Sequence, residues 1–398
     1  MQKIKPSWLI AWVIFFFQFE LFGIGPVTMI RVVILPLLLY YLLREKKMRV
    51  IKSSPFIFCL FFCLVEMIAG ILNNNIAFLI AGIMNFLTIV VFVDYLVKSD
   101  GFSSADWFAF TTYDWACILY FIFTYEGLNL SNRFKGIYWD PNVMCVYIII
   151  ALTAKIILLN EGRLSARIKI MYQIFILMDV LLIFSSISRA GMLAFGTVVL
   201  IWTYVKSKKI FLLFVTSLCV LMGYMYNLSQ KIVWSMDLSP IEVLSYRIFV
   251  SSELEMEDPV DGSRSDRMQR FWDVVEQGDL FIIGNGTNYL PDGGYVHNGV
   301  LEFFLTVGIP LGGIFILVFV YLIGKGFINS FCGNRRLLIY SFILSYFLVT
   351  VFYSYLSFKS FWVFIAYLIY LNYKNGDMKI GVLLLHNLCI HSVSCKLI

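Results

Sequence analysis

Charged side chains are scarce in this sequence: Asp, Glu, Lys and Arg make up 14% of its 398 residues, against 60% hydrophobic residues. A soluble domain carries more charge on its surface than this. Apolar runs of about 18 or more residues recur from end to end, and each can cross the roughly 30 Å of bilayer hydrocarbon. We therefore predict an all-α integral membrane protein, in which residues 1–398 form a single polytopic membrane domain.

Metal-ligating patterns are also lacking. None of the eight cysteines lies in the one long polar stretch, 227–297, and most lie inside apolar runs. This distribution argues against a disulfide framework, and no zinc-type spacing occurs. Histidine occurs only three times, and no cluster of carboxylates has metal-ligand spacing. We expect no metal, no cofactor and no nucleic-acid partner.

The apolar runs predict about twelve transmembrane helices. They cover residues 7–24, 27–43, 55–72, 76–97, 107–125, 142–159, 170–187, 191–205, 210–226, 298–320, 337–355 and 358–373. Lys and Arg favour short cytoplasmic loops. The basic connections 44–52, 160–169 and 206–209 all fall on one side of this layout, together with both termini. That side is predicted to be cytoplasmic.

One large extracytoplasmic loop, 227–297, is predicted between spans nine and ten. It holds twelve acidic and five basic residues, and long loops translocate regardless of charge. Within it, "DGSRSDRMQRFWDVVEQ" predicts a helix with Ser263 as the N-cap. Arg264, Arg267 and Arg270 are spaced along one side of this helix. They are candidate anion ligands, and the alternative is ion pairing with nearby acidic residues.

A polar cluster precedes span six, in "NRFKGIYWDPN" (132–142). Asp140 and Pro141 have the pattern of a helix N-cap and first turn. Arg133 and Lys135 place two cations beside that helix N-terminus, a combination that attracts phosphate. The alternative is a loop and a cap without a ligand.

A second cluster, "SSISRAGM", places Arg189 at the predicted outer turn before span eight. A charge beside hydrocarbon is costly unless it has a function or a route to water. Ser186, Ser188 and Gly191 are small enough to let backbones approach closely. Arg189 is a candidate ligand-binding residue, and the alternative is an arginine that reaches the interface by snorkelling.

A further cluster, "GNGTNYLPDGGYVHNGVLEFF", begins with a glycine-rich stretch that we expect to be a flexible approach to span ten. His297 and Asn298 stand where this span is predicted to enter the membrane. A lone histidine is more often structural than catalytic. His297 is nevertheless the one histidine predicted on the outer side, since His386 and His391 lie in the C-terminal tail.

All these clusters are predicted on the outer side, so a helix bundle could bring them into one outward-facing groove. Guanidinium groups there would suit a diphosphate, which they bind in bidentate fashion. A neutral imidazole would suit a general base. Asp140, Asn142 and Asn298 are assigned supporting positions in this groove.

The ordered set "RFKGIYWDPN", "SRAG", Arg267 to Trp272, and "GNG…HNGVLEFFLTVGIPLGG" resembles the motifs of the O-antigen ligase and polymerase superfamily. The resemblance covers roughly residues 130–315, together with the span layout and the large loop. Members of this family act on glycans linked to undecaprenyl pyrophosphate, at the outer face of the bacterial cytoplasmic (inner) membrane. The resemblance implies that location, and the Lys and Arg distribution described above predicts that both termini are cytoplasmic.

Carried over by position, the resemblance implies that Arg189 and one arginine of the outer helix bind pyrophosphate, and that His297 is the base. The family usually shows this arginine four residues before an aromatic residue. Arg267 stands five before Trp272, so Arg264 remains an alternative. The implied partners are an undecaprenyl-pyrophosphate-linked oligosaccharide and, among proteins, a chain-length regulator and a flippase.

The implied reaction is metal-independent glycosyl transfer, in which arginines stabilise the leaving pyrophosphate. We favour a surface-polysaccharide polymerase, whose acceptor is another lipid-linked repeat unit. A ligase that transfers glycan to lipid A-core remains open, because the motifs do not separate the two. The rival from another class is a polysaccharide transporter or flippase. Glu66, Asp114 and Asp179 fall inside predicted spans, where charged residues often mark transport pathways.

Overall fold

The computed structural model describes residues 6–19, 23–24, 27–28, 30–45, 53–124, 133–138, 140–162, 164–231, 239–249, 264–276, 284, 298–331, 333–351 and 359–377. Nearly all of them are helical, which confirms the all-α prediction. The helices are α1 (Pro6–Phe17), α2 (Leu35–Arg44), α3 (Ser54–Leu72), α4 (Ile76–Ser99), α5 (Ser104–Phe110), α6 (Trp115–Thr124), α7 (Pro141–Asn160), α8 (Ala166–Ser185), α9 (Arg189–Lys206), α10 (Lys208–Ser229), α11 (Pro240–Phe249), α12 (Arg264–Glu276), α13 (Gly299–Val307), α14 (Ile309–Ser330), α15 (Asn334–Val351) and α16 (Lys359–Asp377). A two-residue antiparallel pair, β1 (Gly23–Ile24) with β2 (Val27–Thr28), and a π-helical turn, Ile30–Ile34, precede α2.

Within the described residues, six helices are long and apolar enough to cross a membrane: α3, α4, α7, α8, α10 and α14. They contain 19 to 24 residues, and at 1.5 Å per residue even the shortest rises about 28 Å. The predicted membrane character is confirmed at this level. The number of twelve spans and the placement of the large loop stay predictions.

Two predicted spans are each divided into two helices. Span five breaks between α5 and α6 at the turn 111–114. Span ten breaks at Gly308, whose backbone has φ +89° and ψ 161°, a region open essentially only to glycine. The prediction of one continuous helix over 298–320 is therefore wrong. The segment of membrane-crossing length is α14, and α13 is a separate short helix before it.

α7 is the central helix of the bundle, since every residue from Val143 to Leu158 is buried. Its sequence is apolar on every side, which is typical of a helix surrounded by other helices. It packs against α5, α8, α9 and α15. α10 is peripheral, because only Met225 and Ser229 among its residues are buried. The residues that precede α7 therefore lie at one end of the packed core.

Ion pairs mark the other end of the bundle, which we call the ion-paired end. Arg335 at the start of α15 binds Glu161 after α7 at 2.8 Å. Lys374 of α16 binds Asp100 after α4, and this ammonium holds the pKa of the Asp100 carboxyl below its usual value. The charge of Arg336 also acts on Asp100, so both pairs belong to one region. Since α7 ends here, it begins at the opposite end.

Candidate functional site

Two helices begin side by side at the end opposite the ion pairs. Asp140 caps α7, because its Oδ1 accepts the backbone N–H of Asn142 at 2.6 Å and of Val143 at 3.4 Å. Ser188 caps α9, because its Oγ accepts the N–H of Gly191 at 3.0 Å. The Ser188 hydroxyl also donates to Asn142 Oδ1 at 2.6 Å. The predicted cap at Asp140 is confirmed, and the two helix N-termini are tied together directly.

Arg133 holds the turn that leads into α9. Its Nε donates to the backbone oxygen of Ser186 at 3.0 Å, across 53 residues of sequence. The next N–H, of Phe134, donates to the carbonyl of Ser185 at 3.1 Å. The segment before α7 therefore lies against the end of α8. The clusters around Arg133 and Arg189 were predicted separately, and the structure brings them into direct contact.

The turn between α8 and α9 has an unusual backbone conformation. Ile187 is fully buried and has φ +51°, in the left-handed region. For a residue with a Cβ this costs about 1–2 kcal/mol, and it persists only where the surroundings fix it. Here Ser186 Oγ accepts the N–H of Ser188 at 3.1 Å and donates to the carbonyl of Ile183 at 2.6 Å. The turn thereby fixes the point at which α9 begins, with Arg189 as its first residue.

Gly191 permits the close approach of α9 to α7. A Cβ at this position would lie 2.5 Å from Cys145 Sγ, a separation that real side chains do not show. The Cys145 thiol also lies 3.1 Å from Ser186 Oγ. The expectation that Gly191 allows close contact is confirmed. The contacts of Cys145 could not be predicted from the sequence, because a cysteine inside an apolar run gives no signal of its partner.

Positive charge is concentrated where these elements meet. Arg189 is half-buried at the start of α9. Arg133, whose Nε contacts the nearby Ser186, is also half-buried, and Lys135 is exposed. Both guanidinium groups interact with neighbouring protein groups. The N-termini of α7 and α9 add the partial positive charge of two helix dipoles. This combination of cations and backbone N–H groups favours an anion such as a phosphate.

A second region is formed by α12 and α13. Phe271 of α12 shares an apolar cluster with Leu301 and Leu305 of α13. Asn298 caps α13, since its Oδ1 accepts the N–H of Val300 at 3.0 Å. The helix predicted within the large loop is confirmed as α12. Asn298 therefore has a structural role as an N-cap. Its role in orienting the neighbouring histidine stays a prediction.

The arginines of α12 occupy its first two turns. Arg267 lies four residues before Phe271, which is buried, whereas Trp272 is 48% exposed. Phe271 is thus the aromatic residue of this pair that packs. Arg267 precedes Phe271 by four residues, whereas it precedes Trp272 by five. Arg270 is half-buried. The side chains of Arg264 and Arg267 lie outside the described residues.

The residues His297 and Ser263 also lie outside the described part of the chain. Their predicted roles, as base and as N-cap, stay predictions. The single groove that would hold all the predicted clusters stays a prediction as well. The structure joins the Arg133 segment to the Arg189 turn, and it joins the arginine helix α12 to α13.

Gly284 was expected to be flexible, and the structure shows a tightly packed position instead. A Cβ there would lie 2.4 Å from the backbone oxygen of Leu305. Its own carbonyl accepts a hydrogen bond from Asn73 Nδ2 at 3.4 Å. Because Gly284 has no side chain, its backbone can pack closely against α13, next to the connection between α3 and α4.

The three carboxylates predicted inside spans all have partners. Asn85 Nδ2 donates to Glu66 at 2.8 Å. Lys155 Nζ lies 2.5 Å from Asp114 Oδ2 and 2.7 Å from Asp179 Oδ2. Sequence reasoning missed Lys155, although a lone lysine in the apolar run of α7 signals a buried partner.

Comparison with models of protein families finds no match to this chain. Comparison with curated proteins finds no match either. The family resemblance therefore rests on the sequence motifs alone. The geometry of the site is a separate observation.

Proposed function

We propose that this protein is a surface-polysaccharide polymerase of the bacterial cytoplasmic membrane. It transfers a glycan from undecaprenyl pyrophosphate onto another lipid-linked repeat unit at the outer face. The observation that carries this proposal is the convergence of the Arg133 segment, the Arg189 turn and two helix N-termini at one end of the bundle. Cations and helix N-termini together suit a diphosphate that leaves with developing negative charge.

The substrate in this proposal has a lipid tail, and the protein has an apolar surface beside the arginines. The ring of Phe134 contacts that of Phe121 on α6 at 5.0 Å between centroids. On either side of Phe121 along α6, Leu119, Ile122 and Phe123 are exposed. A polyprenyl chain would lie along such a surface within the bilayer while its pyrophosphate reaches Arg133 and Arg189. The site thus offers both parts of an amphipathic donor a matching environment.

In the proposed mechanism, three sets of residues have separate roles. Arg189 and Arg133, with Arg267 or Arg264, stabilise the pyrophosphate as the bond to the anomeric carbon breaks. His297 takes the proton of the acceptor hydroxyl as it attacks. Asp140 caps α7, Asn142 binds the N-cap of α9 and Asn298 caps α13, so these residues hold the starts of the helices next to the proposed site. The lipid diphosphate already stores the energy of the bond, so the proposal includes no nucleotide, metal or cofactor.

A transporter is the second candidate, and one observation favours it. Span five is broken at Asp114, beside the buried charges of Lys155 and Asp179. Broken helices and buried charges are typical of transport pathways. A ligase to lipid A-core differs from the polymerase only in its acceptor, and the geometry at Arg133 and Arg189 suits both.

One experiment separates the three functions. The gene is deleted in its own host, and the surface polysaccharide and the lipid-linked intermediates are extracted from right-side-out and inside-out membrane vesicles. Loss of a polymerase should leave single lipid-linked repeats in the outer leaflet. Loss of a flippase should leave them in the inner leaflet, and loss of a ligase should leave long polymer still attached to the lipid diphosphate. Either of the last two results would contradict the proposal.

A further inference from the structure

Three charged side chains from three parts of the chain meet inside the bundle. Lys155 lies on α7, Asp179 lies on α8, and Asp114 lies in the turn that separates α5 from α6. None of the three side chains has any exposed surface. The lysine Nζ contacts one oxygen of each carboxyl group, at 2.5 Å for Asp114 and 2.7 Å for Asp179.

The charges of this cluster do not balance when all three groups are ionised. One ammonium and two carboxylates leave one uncompensated negative charge. Transfer of an ion from water to a protein interior costs several kcal/mol even after relaxation. A bilayer around the bundle removes the remaining route to water. A buried carboxylate without compensation therefore takes up a proton instead of keeping its charge.

The hydrogen bonds of the cluster point to the place of that proton. Asp114 Oδ1 and Asp179 Oδ1 are buried and have no hydrogen-bond partner among the described residues. The two carboxyl groups are neighbours, because an oxygen of each contacts the same Lys155 Nζ. A proton on either group would supply a donor that the other group can accept. Two carboxyl groups that share one proton are a familiar arrangement where like charges are forced together.

Among the residues that the structure describes, Lys155 is the one cation that forms ion pairs with these carboxyl groups. The thiol of Cys117, on α6, is buried near the two carboxyl groups. The ring of Phe175, on α8, lies 5.6 Å from Lys155 Nζ. A thiol and an aromatic ring have no formal positive charge to offer, so the lysine has to be supplemented by a proton.

We propose that Asp114, Lys155 and Asp179 form a proton-binding site, in which the two carboxyl groups share one proton and the cluster is electrically neutral. The ligand of this site is the proton itself. The site involves none of the arginines assigned to pyrophosphate and none of the groups in the proposed transfer step. It joins the break in span five to the central helix α7 and to α8, and it stands whether or not the proposed function is correct.

Infrared spectroscopy tests this directly, because a protonated carboxyl group has a C=O band that an ionised one lacks. The full-length protein is purified in an ester-free detergent at neutral pH, with and without ¹³C in the aspartate side-chain carboxyl groups. The isotope difference isolates aspartic acid from glutamic acid. The wild type should show a protonated aspartic acid band. D114N and D179N should each lose it, because the remaining carboxylate then pairs with the lysine alone.

The matched control is D106N, at a buried aspartate in the first turn of α5. Its carboxylate accepts hydrogen bonds from the Tyr95 hydroxyl at 2.6 Å and from the N–H and hydroxyl of Ser103. These donors and the helix N-terminus offset its negative charge, so we expect it to be ionised at neutral pH and to contribute little to the band. This variant should keep the band. K155M should about double it, because both carboxyl groups then need a proton to become neutral. If D114N and D179N do not fold, the wild type and K155M decide the matter. The proposal is overturned if the wild type lacks the band, if K155M leaves it unchanged, or if it persists in both folded aspartate variants.

Discussion

Arg189 shows how a single side chain is placed by residues that carry no charge. It follows the N-cap Ser188, whose hydroxyl binds Asn142 at 2.6 Å. It also follows Ile187, whose left-handed backbone is fixed by the bonds of Ser186. The backbone that carries Arg189 is thus fixed before a ligand arrives, and less conformational entropy is lost on binding.

We predict that Arg189→Ala abolishes long-chain polysaccharide while the protein reaches the membrane at its normal level. Loss of one group that stabilises a leaving anion typically costs about 10²–10³ in rate. Arg189→Lys should restore only part of the activity, because an ammonium lacks the forked geometry of the guanidinium. The measurement is the length distribution of surface polysaccharide in a complemented deletion strain. Arg167→Ala, at an exposed arginine where α8 begins, is the matched control; full-length polymer from Arg189→Ala would return this residue to a snorkelling role.

For the arginines of α12, we predict that Arg267→Ala lowers polymer formation more than Arg270→Ala does. The backbone of Arg267 lies one helical turn before Phe271, which packs against α13, so that turn of α12 is held next to α13. The polysaccharide assay on membranes with equal protein content measures this. An equal loss in both variants would indicate that neither arginine is specific. A greater loss in Arg264→Ala would assign the role to that alternative.

At the scale of helices, local signals identified the starts of elements better than their interruptions. Asp140 with Pro141 marked the start of α7 through capping chemistry, which operates within four residues. Asp114, at the break between α5 and α6, contacts Lys155 of α7, and no local pattern predicts a contact so distant in the sequence. Gly308 with Pro310 did carry a local signal for the break before α14. The long apolar run around them outweighed it in the prediction.

The contact between α9 and α7 leads to a prediction with an internal control. Gly191→Ala should destabilise the protein by about 1–3 kcal/mol, the usual cost of overpacking, because its Cβ would meet Cys145 Sγ. Gly196→Ala, in the same helix, has open space at its Cβ. It should be neutral or stabilising by up to about 1 kcal/mol, since alanine favours helix. Thermal unfolding of the purified variants in detergent is the measurement, and equal behaviour of the two would show that the close contact has no energetic weight.

At the scale of the whole molecule, the two ends of the bundle differ in chemistry. One end has ion pairs such as Arg335 with Glu161. The other has the capped starts of α7 and α9 with Arg133 and Arg189. The apolar runs predicted the helices because bilayer thickness fixes their length. They could not predict that Ser188 would meet Asn142, or that Lys155 would lie between Asp114 and Asp179, because tertiary packing decides those contacts.

We predict that the ion-paired end is cytoplasmic and that the segment 227–297 is extracytoplasmic. The physical reason is the excess of Lys and Arg in the short connections at 44–52 and 206–209. Fusions of alkaline phosphatase, which is active only outside the cytoplasm, should be active at residue 255 and inactive at residue 208. Fusions of a cytoplasm-specific reporter should give the reverse pattern. Activity of the cytoplasmic reporter at residue 255 would place the arginines on the wrong side for the proposed reaction.

The most direct test of the proposed function is a reconstitution with purified components. The full-length protein in lipid vesicles is given an undecaprenyl-pyrophosphate-linked oligosaccharide repeat, isolated from the deletion strain, in buffer containing EDTA. The account predicts that polymer longer than one repeat forms, that free undecaprenyl pyrophosphate is released in step with it, and that Arg189→Ala protein in matched vesicles releases almost none. If the repeat remains singly linked to its lipid and only crosses the bilayer, or if turnover requires a divalent ion, the proposed glycosyl transfer at Arg133 and Arg189 is wrong.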